Sequence, residues 1–451
     1  MKKILILLHS IFPPLVIVSL TYIVLSLRLL LLVKTYAVNL MLWDQWDYEF
    51  LFAKGTFGEL FFHQHGPHRQ GLGFIIAAII ERSTHWDTRA ECYAIALFII
   101  SACLMAILLK KRILGKVTFS DISIPLIFLT PVQADTLLLF PNLSIGAFPL
   151  FILMIYLFAL TLKRETIRYT VLIITNTLLI YSGYWLIMGI ITPILITFDL
   201  IRHKHKHAHI SSIHISALAT SLLVFASFFI NYTFTTAAPC FSSPLLFFWV
   251  YPLYMSEMIA HFIGAMVVVS IFLLPLGICI LYYSLHILYQ RVTHALAVGI
   301  DHSPTEAIII SLISFSLLYS LAAGIGRLCY GFFSSTQSRY MIFIIPLYLG
   351  LYLSVLLIRS PRIRNLTVAI FTLMMILPHI LSSLPASSLN ISQIMSNDKQ
   401  IWMNCYRKTA DVAFCNKEAN LPINDYPKEV QLEEKLQYLR KNHLNFFYDH
   451  E

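Results

Sequence analysis

Charged residues are scarce in this chain. Asp, Glu, Lys and Arg make up 12% of its 451 residues, whereas charged residues are roughly a quarter of a soluble globular domain. Long polar linkers and Gly/Ser-rich tracts are also missing from residues 1–384. The first shortage excludes an ordinary soluble enzyme. The second excludes the string of about three soluble domains that a chain of this length would otherwise suggest.

Apolar residues are correspondingly abundant. They make up 58% of the chain, and the mean hydropathy is +0.75. Both values are typical of a polytopic membrane protein, so we predict an all-α membrane fold.

The net charge of +9 does not indicate nucleic acid as a partner, because no nucleic-acid motif accompanies the basic residues. They stand in short clusters between apolar runs, and every second connection is basic. This is the positive-inside pattern, which places the clusters in the cytoplasm. The clusters are Lys2 and Lys3; Lys110, Lys111, Arg112 and Lys116; Lys163, Arg164 and Arg168; Arg202, Lys204 and Lys206; Arg291; and Arg359, Arg362 and Arg364.

About eleven transmembrane helices are predicted from apolar windows. The first window, residues 4–33, is too long for the apolar region of a signal peptide, so the N-terminus is cytoplasmic and the first loop lies outside. Two shorter apolar stretches, residues 71–80 and 244–254, predict helices lying at the outer interface. The other windows are residues 90–109, 122–130, 143–162, 169–184, 186–201, 210–230, 259–289, 307–323, 341–358 and 366–384. The chain therefore divides into a membrane domain, residues 1–384, and a small external C-terminal tail, residues 385–451.

The tail is polar enough to form a small aqueous domain or appendage. It contains two of the seven cysteines, Cys405 and Cys415. An oxidising compartment would allow a disulfide between them, but sequence spacing does not show whether the thiols are close enough, so both states remain open. Residues 427–442 carry leucines at helical spacing among Glu and Lys, which predicts an amphipathic helix.

Titratable groups concentrate just after the first apolar window. The sequence WDQWD at residues 43–47 places Asp44 and Asp47 three positions apart, so one helical turn would put both carboxylates on the same face. A carboxylate near the membrane surface can act as a general base toward an attacking hydroxyl. Trp43 and Trp46 beside them are suited to anchoring at the headgroup level or to stacking on a sugar ring.

Histidines follow in the sequence HQHGPHR at residues 63–69. A zinc site formed by the three histidines with Asp44 is one interpretation. The spacing matches no familiar zinc signature, however, and the Gly-Pro pair forces a turn. Recognition of a phosphate or sugar oxygen by His65, His68 and Arg69 is the preferred hypothesis.

A second histidine-rich run, RHKHKHAH, occupies residues 202–209. Cationic neighbours oppose a divalent ion there, and no carboxylate or thiolate is interleaved. We therefore predict a solvated cytoplasmic loop.

Two external arginines, Arg327 and Arg339, lie in the connection GIGRLCYGFFSSTQSRY at residues 324–340. The predicted topology puts this connection on the same side as Asp44. Arginines so close to the bilayer are costly unless they neutralise an anion. A lipid phosphate is the obvious candidate, and snorkelling to ordinary headgroups is the alternative.

Together these segments resemble the GT-C class of membrane glycosyltransferases, which use polyprenyl-phosphate sugars. The resemblance is closest to bacterial enzymes that add a sugar side branch to O-antigen. It rests on WDQW at residues 43–46, HGPHR at 65–69, TPVQAD at 130–135, GR at 326–327 and SRY at 338–340. Each motif is short, and their order and sidedness are more specific than any one alone.

The resemblance implies a GT-C-like fold in the bacterial inner membrane, with the active site on the periplasmic side. It implies that Asp44 is the catalytic base, for which Asp47 is our substitute, and that Arg339 binds the donor phosphate with help from Arg327 and Tyr340. The residues assigned to substrate binding are Trp43, Trp46, His65, His68, Arg69, Gln133 and Asp135.

The chain departs from the family pattern at two positions. Gln45 stands where a second Asp often follows the first, which disfavours a two-carboxylate metal site. Pro67 stands where the His-x-x-His-Arg motif often has an acidic residue. We therefore expect no cofactor, with a divalent metal as a minor alternative.

The activity expected from these features is inverting transfer of a sugar, glucose being the expected one, from a polyprenyl-phosphate donor to a hydroxyl of lipopolysaccharide O-antigen. Arginines can neutralise the monophosphate leaving group without a metal. One alternative is an O-antigen polymerase or ligase that uses a lipid-diphosphate donor. Another is a polytopic lipid or sugar transporter, which should carry mid-membrane polar residues and repeated halves.

Overall fold

The structure, a computed structural model, describes residues 13–139, 142–207, 212–234, 248–264, 270–297, 304–381, 388–424, 427–428 and 431–448. Across these ranges the chain is mostly helical, and its strands form one short hairpin. The prediction of an all-α fold is confirmed.

The helices are joined by short connections, several of which are 3₁₀ or π turns. In chain order the helices are α1 (Pro14–Tyr36), α2 (Glu49–Lys54), α3 (Phe57–Phe62), α4 (Gly71–Ser83), α5 (Thr88–Leu114), α6 (Ser123–Phe128), α7 (Ala134–Leu138), α8 (Phe148–Ala159), α9 (Glu165–Ile180), α10 (Met188–His207), α11 (Ser212–Ser227), α12 (Tyr251–His261), α13 (Ser270–Ala297), α14 (Pro304–Arg327), α15 (Ile345–Leu356), α16 (Pro361–Leu381), α17 (Ser388–Thr409), α18 (Val412–Glu418) and α19 (Leu432–Lys441). The strands are β1 (Gln64–His65) and β2 (His68–Arg69). The turns are Trp43–Asp47, Phe119–Ile122, Pro131–Gln133, Leu143–Ala147, Gly183–Ile187, Leu328–Tyr330, Phe332–Thr336, Ser338–Phe343 and Asn445–Phe447.

Five helical stretches of the described chain are long and apolar enough to cross a membrane. They are Pro14–Tyr36, Thr88–Leu114, Phe119–Leu138, Pro304–Tyr330 and Pro361–Ile380. Shorter apolar helices accompany them at Leu143–Ala159, Trp185–Ile201, Ser212–Ser227 and Ile345–Leu356. These helices indicate that the chain is a membrane protein. The count of eleven spans stays a prediction.

Proline and glycine set the ends of two long helices. α1 begins at Pro14 with Pro13 as its N-cap, because proline at the first helical position loses no hydrogen bond. The part of the first predicted window that precedes residue 13 lies outside the described residues. α5 ends at Leu114, and Gly115 caps it with a φ of 78°, the left-handed conformation that glycine adopts without strain.

The prediction of one continuous span at residues 259–289 is wrong. α12 ends at His261 and α13 begins at Ser270, and the two helices pack against each other. Gly277 allows their close approach, because a Cβ there would lie 1.9 Å from the Ser256 carbonyl oxygen. Both sides of this break are apolar, so a hydropathy window does not detect it. The predicted interfacial stretch before it, residues 244–254, lies partly outside the described residues.

The predicted loop at residues 202–209 is also wrong for its first part. α10 continues as a helix to His207, and residues 208–211 lie outside the described residues. The alternating His and Lys residues therefore extend an apolar helix.

The first loop folds into short elements around an aromatic core. Gly66, with a φ of 57°, turns the chain between β1 and β2 and sets His65 opposite His68. Beneath this hairpin the Tyr48 and Phe74 rings are 4.9 Å apart. The Phe52 and Phe74 rings are 4.6 Å apart. This rigid base fixes the backbone on which the candidate site is built.

The C-terminal tail packs directly on the first loop. The Trp43 amide donates to the Ile423 carbonyl at 2.7 Å, and Asn424 Nδ2 donates to the Trp43 carbonyl at 3.1 Å. Lys435 Nζ, from α19, donates to the Trp46 carbonyl. The tail thus holds the Trp43–Asp47 turn through its main chain, and its buried residues join the same hydrophobic cluster as the helices.

α19 confirms the amphipathic helix predicted at residues 427–442. Its Leu432, Leu436 and Leu439 are buried, while Glu433, Glu434 and Arg440 on the other face are exposed. Val430 lies outside the described residues.

A disulfide joins Cys405 to Cys415, whose Cα atoms are 5.6 Å apart. This answers the question that sequence spacing left open. The bridge ties the end of α17 to α18.

Replacing Cys405 and Cys415 together with serine should lower the midpoint of thermal unfolding. A disulfide restricts the unfolded chain and typically contributes about 2–4 kcal/mol. Scanning fluorimetry of the purified protein in detergent would measure the shift. Cys279 is an exposed free cysteine, so Cys279→Ser is the matched control. Equal midpoints for the double variant and the control would contradict the prediction.

Candidate functional site

Asp44 and Asp47 share one face of the Trp43–Asp47 turn. This turn is a 3₁₀ helix, in which residues three apart eclipse each other. Both carboxylates reach the imidazole of His65 on β1. His65 Nε2 lies 3.6 Å from Asp44 Oδ2, and His65 Nδ1 lies 3.9 Å from Asp47 Oδ2. The imidazole is thus placed between two carboxylates.

The surroundings move the pKa values of the two carboxyls in opposite directions. The pKa of Asp44 lies below its usual value, because the neighbouring His65 imidazole favours the anion, as do the charges of Arg339 and Arg327, against the effect of burial. The pKa of Asp47 is raised, mainly by burial and also by Asp44. Separated pKa values are how two neighbouring carboxylates take different roles. Asp44 is therefore the more readily ionised of the two.

The same three residues could hold a divalent cation. One ligand atom from each of Asp44, Asp47 and His65 lies within 4.8 Å of the others. The zinc interpretation based on three histidines finds no support in this geometry. His63 stacks on Phe74 with ring centroids 5.5 Å apart, and His68, on β2 of the hairpin, is buried.

Arg327 and Arg339 come to this site from far along the chain. Arg327 is the last residue of α14, and Arg339 lies in the Ser338–Phe343 turn. Both charges act on the Asp44 carboxylate. Arg339 Nε donates to Gln337 Oε1 at 3.0 Å, and its guanidinium lies 5.2 Å from the centre of the Tyr340 ring. The structure therefore brings together the two segments that carry the predicted base and the predicted phosphate ligands.

Tyr340 and Arg327 are held by ring contacts. Tyr340 is buried under Arg339, so it supports the guanidinium by a cation–π contact. Arg327 lies 5.8 Å from the centre of the Tyr330 ring.

The TPVQAD segment packs on the SRY segment through Ser338. Ser338 Oγ donates to the Val132 carbonyl at 2.6 Å and accepts from the Asp135 amide at 3.0 Å. This places the Asp135 carboxylate within the electrostatic reach of Arg339. Gln133 instead turns inward: it is fully buried, and its Nε2 donates to the Phe128 carbonyl at 2.6 Å.

Arg69 is engaged in holding the fold. Its Nε donates to the Phe228 carbonyl at 3.0 Å, Nη1 to Phe62 at 2.6 Å and Nη2 to Ile230 at 2.5 Å. The side chain is buried. This guanidinium joins the hairpin to the end of α11, an arrangement that favours a structural role.

Trp43 and Trp46 differ in how accessible their rings are. Trp46 is fully buried and donates from Nε1 to the Met41 carbonyl at 3.1 Å. Trp43 is half-buried, with a φ of 49°, and its main chain is bound by the tail. The Trp43 ring is therefore the one that a substrate could reach.

Two lysines of the tail lie within electrostatic reach of the site, and no sequence motif marks either of them. Lys435 acts on the Asp47 carboxylate. Lys399, on α17, is 4% exposed, and its charge acts on Asp135 together with that of Arg339. Burial lowers the pKa of Lys399, while Asp135 opposes that change. Each is one lysine in a polar helix, so no motif distinguishes it from a surface residue.

His68 predicts a pH-dependent stability. Burial lowers its pKa from 6.5 to about 3, so between those values the unfolded chain binds a proton that the folded chain does not. The free energy of unfolding is therefore highest above pH 6.5. It falls as the pH falls, by up to about 1.4 kcal/mol per pH unit. His68→Gln removes this titration. Its thermal midpoint should fall less steeply between pH 7 and pH 4.5 than that of the wild type, and parallel curves would contradict the prediction.

No protein-family model matches the chain, and no curated protein sequence matches it. Function is therefore argued from the geometry of the site.

Proposed function

We propose that the protein is an inverting glycosyltransferase of the GT-C type. It moves a sugar, glucose being the expected one, from a polyprenyl-phosphate donor to a hydroxyl of lipopolysaccharide O-antigen. The observation that carries the proposal is the Asp44 carboxylate. His65 lies 3.6 Å from it and favours its ionised form. The charges of Arg339 and Arg327, which stand nearly 300 residues further along the chain, add to that effect.

The groups at this site match the two halves of the reaction. Asp44 takes the proton of the acceptor hydroxyl, and the oxygen attacks the anomeric carbon of the donor. The bond from that carbon to the phosphate oxygen breaks, and the sugar is inverted. Arg339 and Arg327 neutralise the departing phosphate with charge-assisted hydrogen bonds. Asp47, with its raised pKa, is the substitute base.

The proposal places the site on the periplasmic side of the bacterial inner membrane, in a fold of about eleven spans. Disulfides favour this orientation, because they persist in oxidising compartments. The Cys405–Cys415 bridge lies in the tail that packs on the site. Cys329, in the connection that carries Arg327 and Arg339, is also disulfide-bonded.

The charge of Lys399 acts on Asp135 together with that of Arg339, and on this ground Lys399 is assigned to the proposed phosphate site as a third cation. Lys399→Met keeps the length and apolar stem of the side chain and removes its charge. We expect the KM for the donor lipid to rise about tenfold, the value of roughly one charge-assisted hydrogen bond. Lys408 is exposed on the same helix, so Lys408→Met is the matched control. An unchanged donor KM for Lys399→Met would remove Lys399 from the phosphate site.

Membrane transfer assays test the proposal against its alternatives. Membranes containing the protein are incubated with radiolabelled polyprenyl-phosphate glucose and O-antigen, and label in the O-antigen is measured. The proposal requires transfer from the monophosphate donor. Transfer from a lipid diphosphate alone would indicate a polymerase or ligase. Movement of label across sealed vesicles without covalent transfer would indicate a transporter.

A further inference from the structure

A second polar cluster lies at the other end of the helices from Asp44. Glu165 begins α9, His203 lies near the end of α10, and His214 is in the first turn of α11. One ligand atom from each lies within 4.8 Å of the others. α9 has 16 residues, so the cluster is about 24 Å along this helix from its far end. That far end meets the Asp44 region.

The far end of α9 is located by Gly71, which follows the β hairpin. A Cβ on Gly71 would lie 2.6 Å from the carbonyl oxygen of Tyr181, the residue after α9. The two polar clusters therefore occupy opposite ends of the helices.

The histidines are held close together and partly out of solvent. Their ring centroids are 4.7 Å apart, and the Tyr169 ring packs edge-on against His214 at 5.1 Å. His214 is 1% exposed. Its Nδ1 has no hydrogen-bond partner among the described residues. Buried polar atoms are almost always paired, so this nitrogen is available to a ligand.

Two carboxylates lie beside the histidines. Arg168 Nη2 lies 3.8 Å from Glu165 Oε1 and 3.2 Å from Asp199 Oδ2, so one guanidinium faces two carboxylates. Tyr169 donates its hydroxyl to Asp199 at 2.9 Å. The carboxylate missing from the histidine-rich run itself is supplied by another helix.

We propose that Glu165, His203 and His214 bind one divalent transition-metal ion, with zinc as the first candidate. Imidazole and carboxylate ligands with water in the fourth position suit zinc, whereas magnesium and calcium prefer oxygen ligands. Ligand atoms around a tetrahedral zinc ion are about 3.3 Å apart, so side-chain rotations must close the present spacing. The ion would fasten the ends of α9, α10 and α11 to one another.

A cavity lies next to the cluster. The cavity has a volume of about 210 Å³ and is lined in part by Arg168, Tyr169 and Asp199. Arg168 contacts Glu165 and Tyr169 contacts His214, so the cavity adjoins the proposed ligands.

Metal binding by the purified full-length protein tests this site. The protein is prepared with a histidine-free affinity tag, and bound zinc is counted by mass spectrometry after dialysis. Cobalt(II) titration adds a spectral test, since tetrahedral cobalt absorbs visible light strongly. We expect about one zinc per chain, and at least tenfold weaker binding by His214→Ala, His203→Gln and Glu165→Gln. His286→Ala, at an exposed histidine of α13, should bind as the wild type does.

Two results would overturn the proposal. One is the absence of stoichiometric zinc from wild-type protein exposed to micromolar zinc. The other is wild-type affinity in His203→Gln and Glu165→Gln, whose side chains are half-buried and are the milder replacements if His214→Ala does not fold. Zinc should also raise the thermal midpoint of the wild type without raising that of His203→Gln. None of these results depends on transferase activity.

Discussion

Asp44→Asn is expected to lower sugar transfer by about 10²–10⁴-fold, the usual contribution of a general base. Asparagine keeps the size of the side chain and its place beside His65, but it does not take up a proton. The loss should appear in kcat, since the base acts on the proton that leaves during reaction. Radiolabel transfer, measured in membranes with matched amounts of each variant, gives the comparison.

Asp47→Asn is the control for this prediction. Its carboxyl has a raised pKa and contacts His65 only at the longer distance, so transfer should fall by roughly tenfold or less, far short of a lost general base. Near-normal transfer by Asp44→Asn would refute the assignment of the base. An equal loss in Asp47→Asn with activity retained in Asp44→Asn would move that role to Asp47.

The candidate site could be predicted from the sequence because charged residues are scarce in this chain. In a chain this apolar, Asp44 and Arg339 are costly near the bilayer, so their presence in connections on one predicted side indicates a shared purpose. The structure places the Arg339 charge within electrostatic reach of the Asp44 carboxylate. The alternation of basic connections thus predicted that these two distant segments lie on the same side, and their charges do lie within electrostatic reach of each other.

The same reasoning does not separate a ligand-binding arginine from a structural one. Arg69 lies in a motif-like segment, yet three carbonyls occupy its guanidinium nitrogens. Those carbonyls belong to Phe62, Phe228 and Ile230, two of them more than 150 positions away, and backbone acceptors have no residue signature. Lys399 shows the converse case. It resembles a surface lysine until α17 packs against α7 and buries it.

Helix boundaries were predictable where a special residue marks them. Pro14 and Gly115 set the ends of α1 and α5 through backbone preferences visible in the sequence. The break between α12 and α13 depends on packing of Gly277 on Ser256, which is a contact between apolar segments. A hydropathy window averages over neighbouring residues in the sequence, so it does not detect such a contact.

Arg339→Ala is expected to raise the KM for the donor lipid and to lower kcat/KM by about 10–100-fold. A charge-assisted hydrogen bond to a phosphate contributes roughly 1.5–3 kcal/mol, and the guanidinium should strengthen its contact as the leaving group gains charge. Arg339 is half-buried, and the one hydrogen bond that its side chain makes within the described residues runs from Nε to Gln337. Its terminal nitrogens are therefore available to the donor. Arg339→Lys should recover part of the loss, because lysine supplies the charge without the planar fork.

Arg69→Ala gives the contrast that makes the Arg339 result specific. Removing its guanidinium leaves three carbonyls without a donor, so we expect a lower thermal midpoint and less protein in the membrane. Arg339→Ala should leave both quantities near the wild-type values. Donor titrations at equal protein, with scanning fluorimetry on the same samples, separate the two effects. An unchanged donor KM in Arg339→Ala would show that the phosphate binds elsewhere. The segment that carries Arg339 would then have no role in stabilising the leaving group.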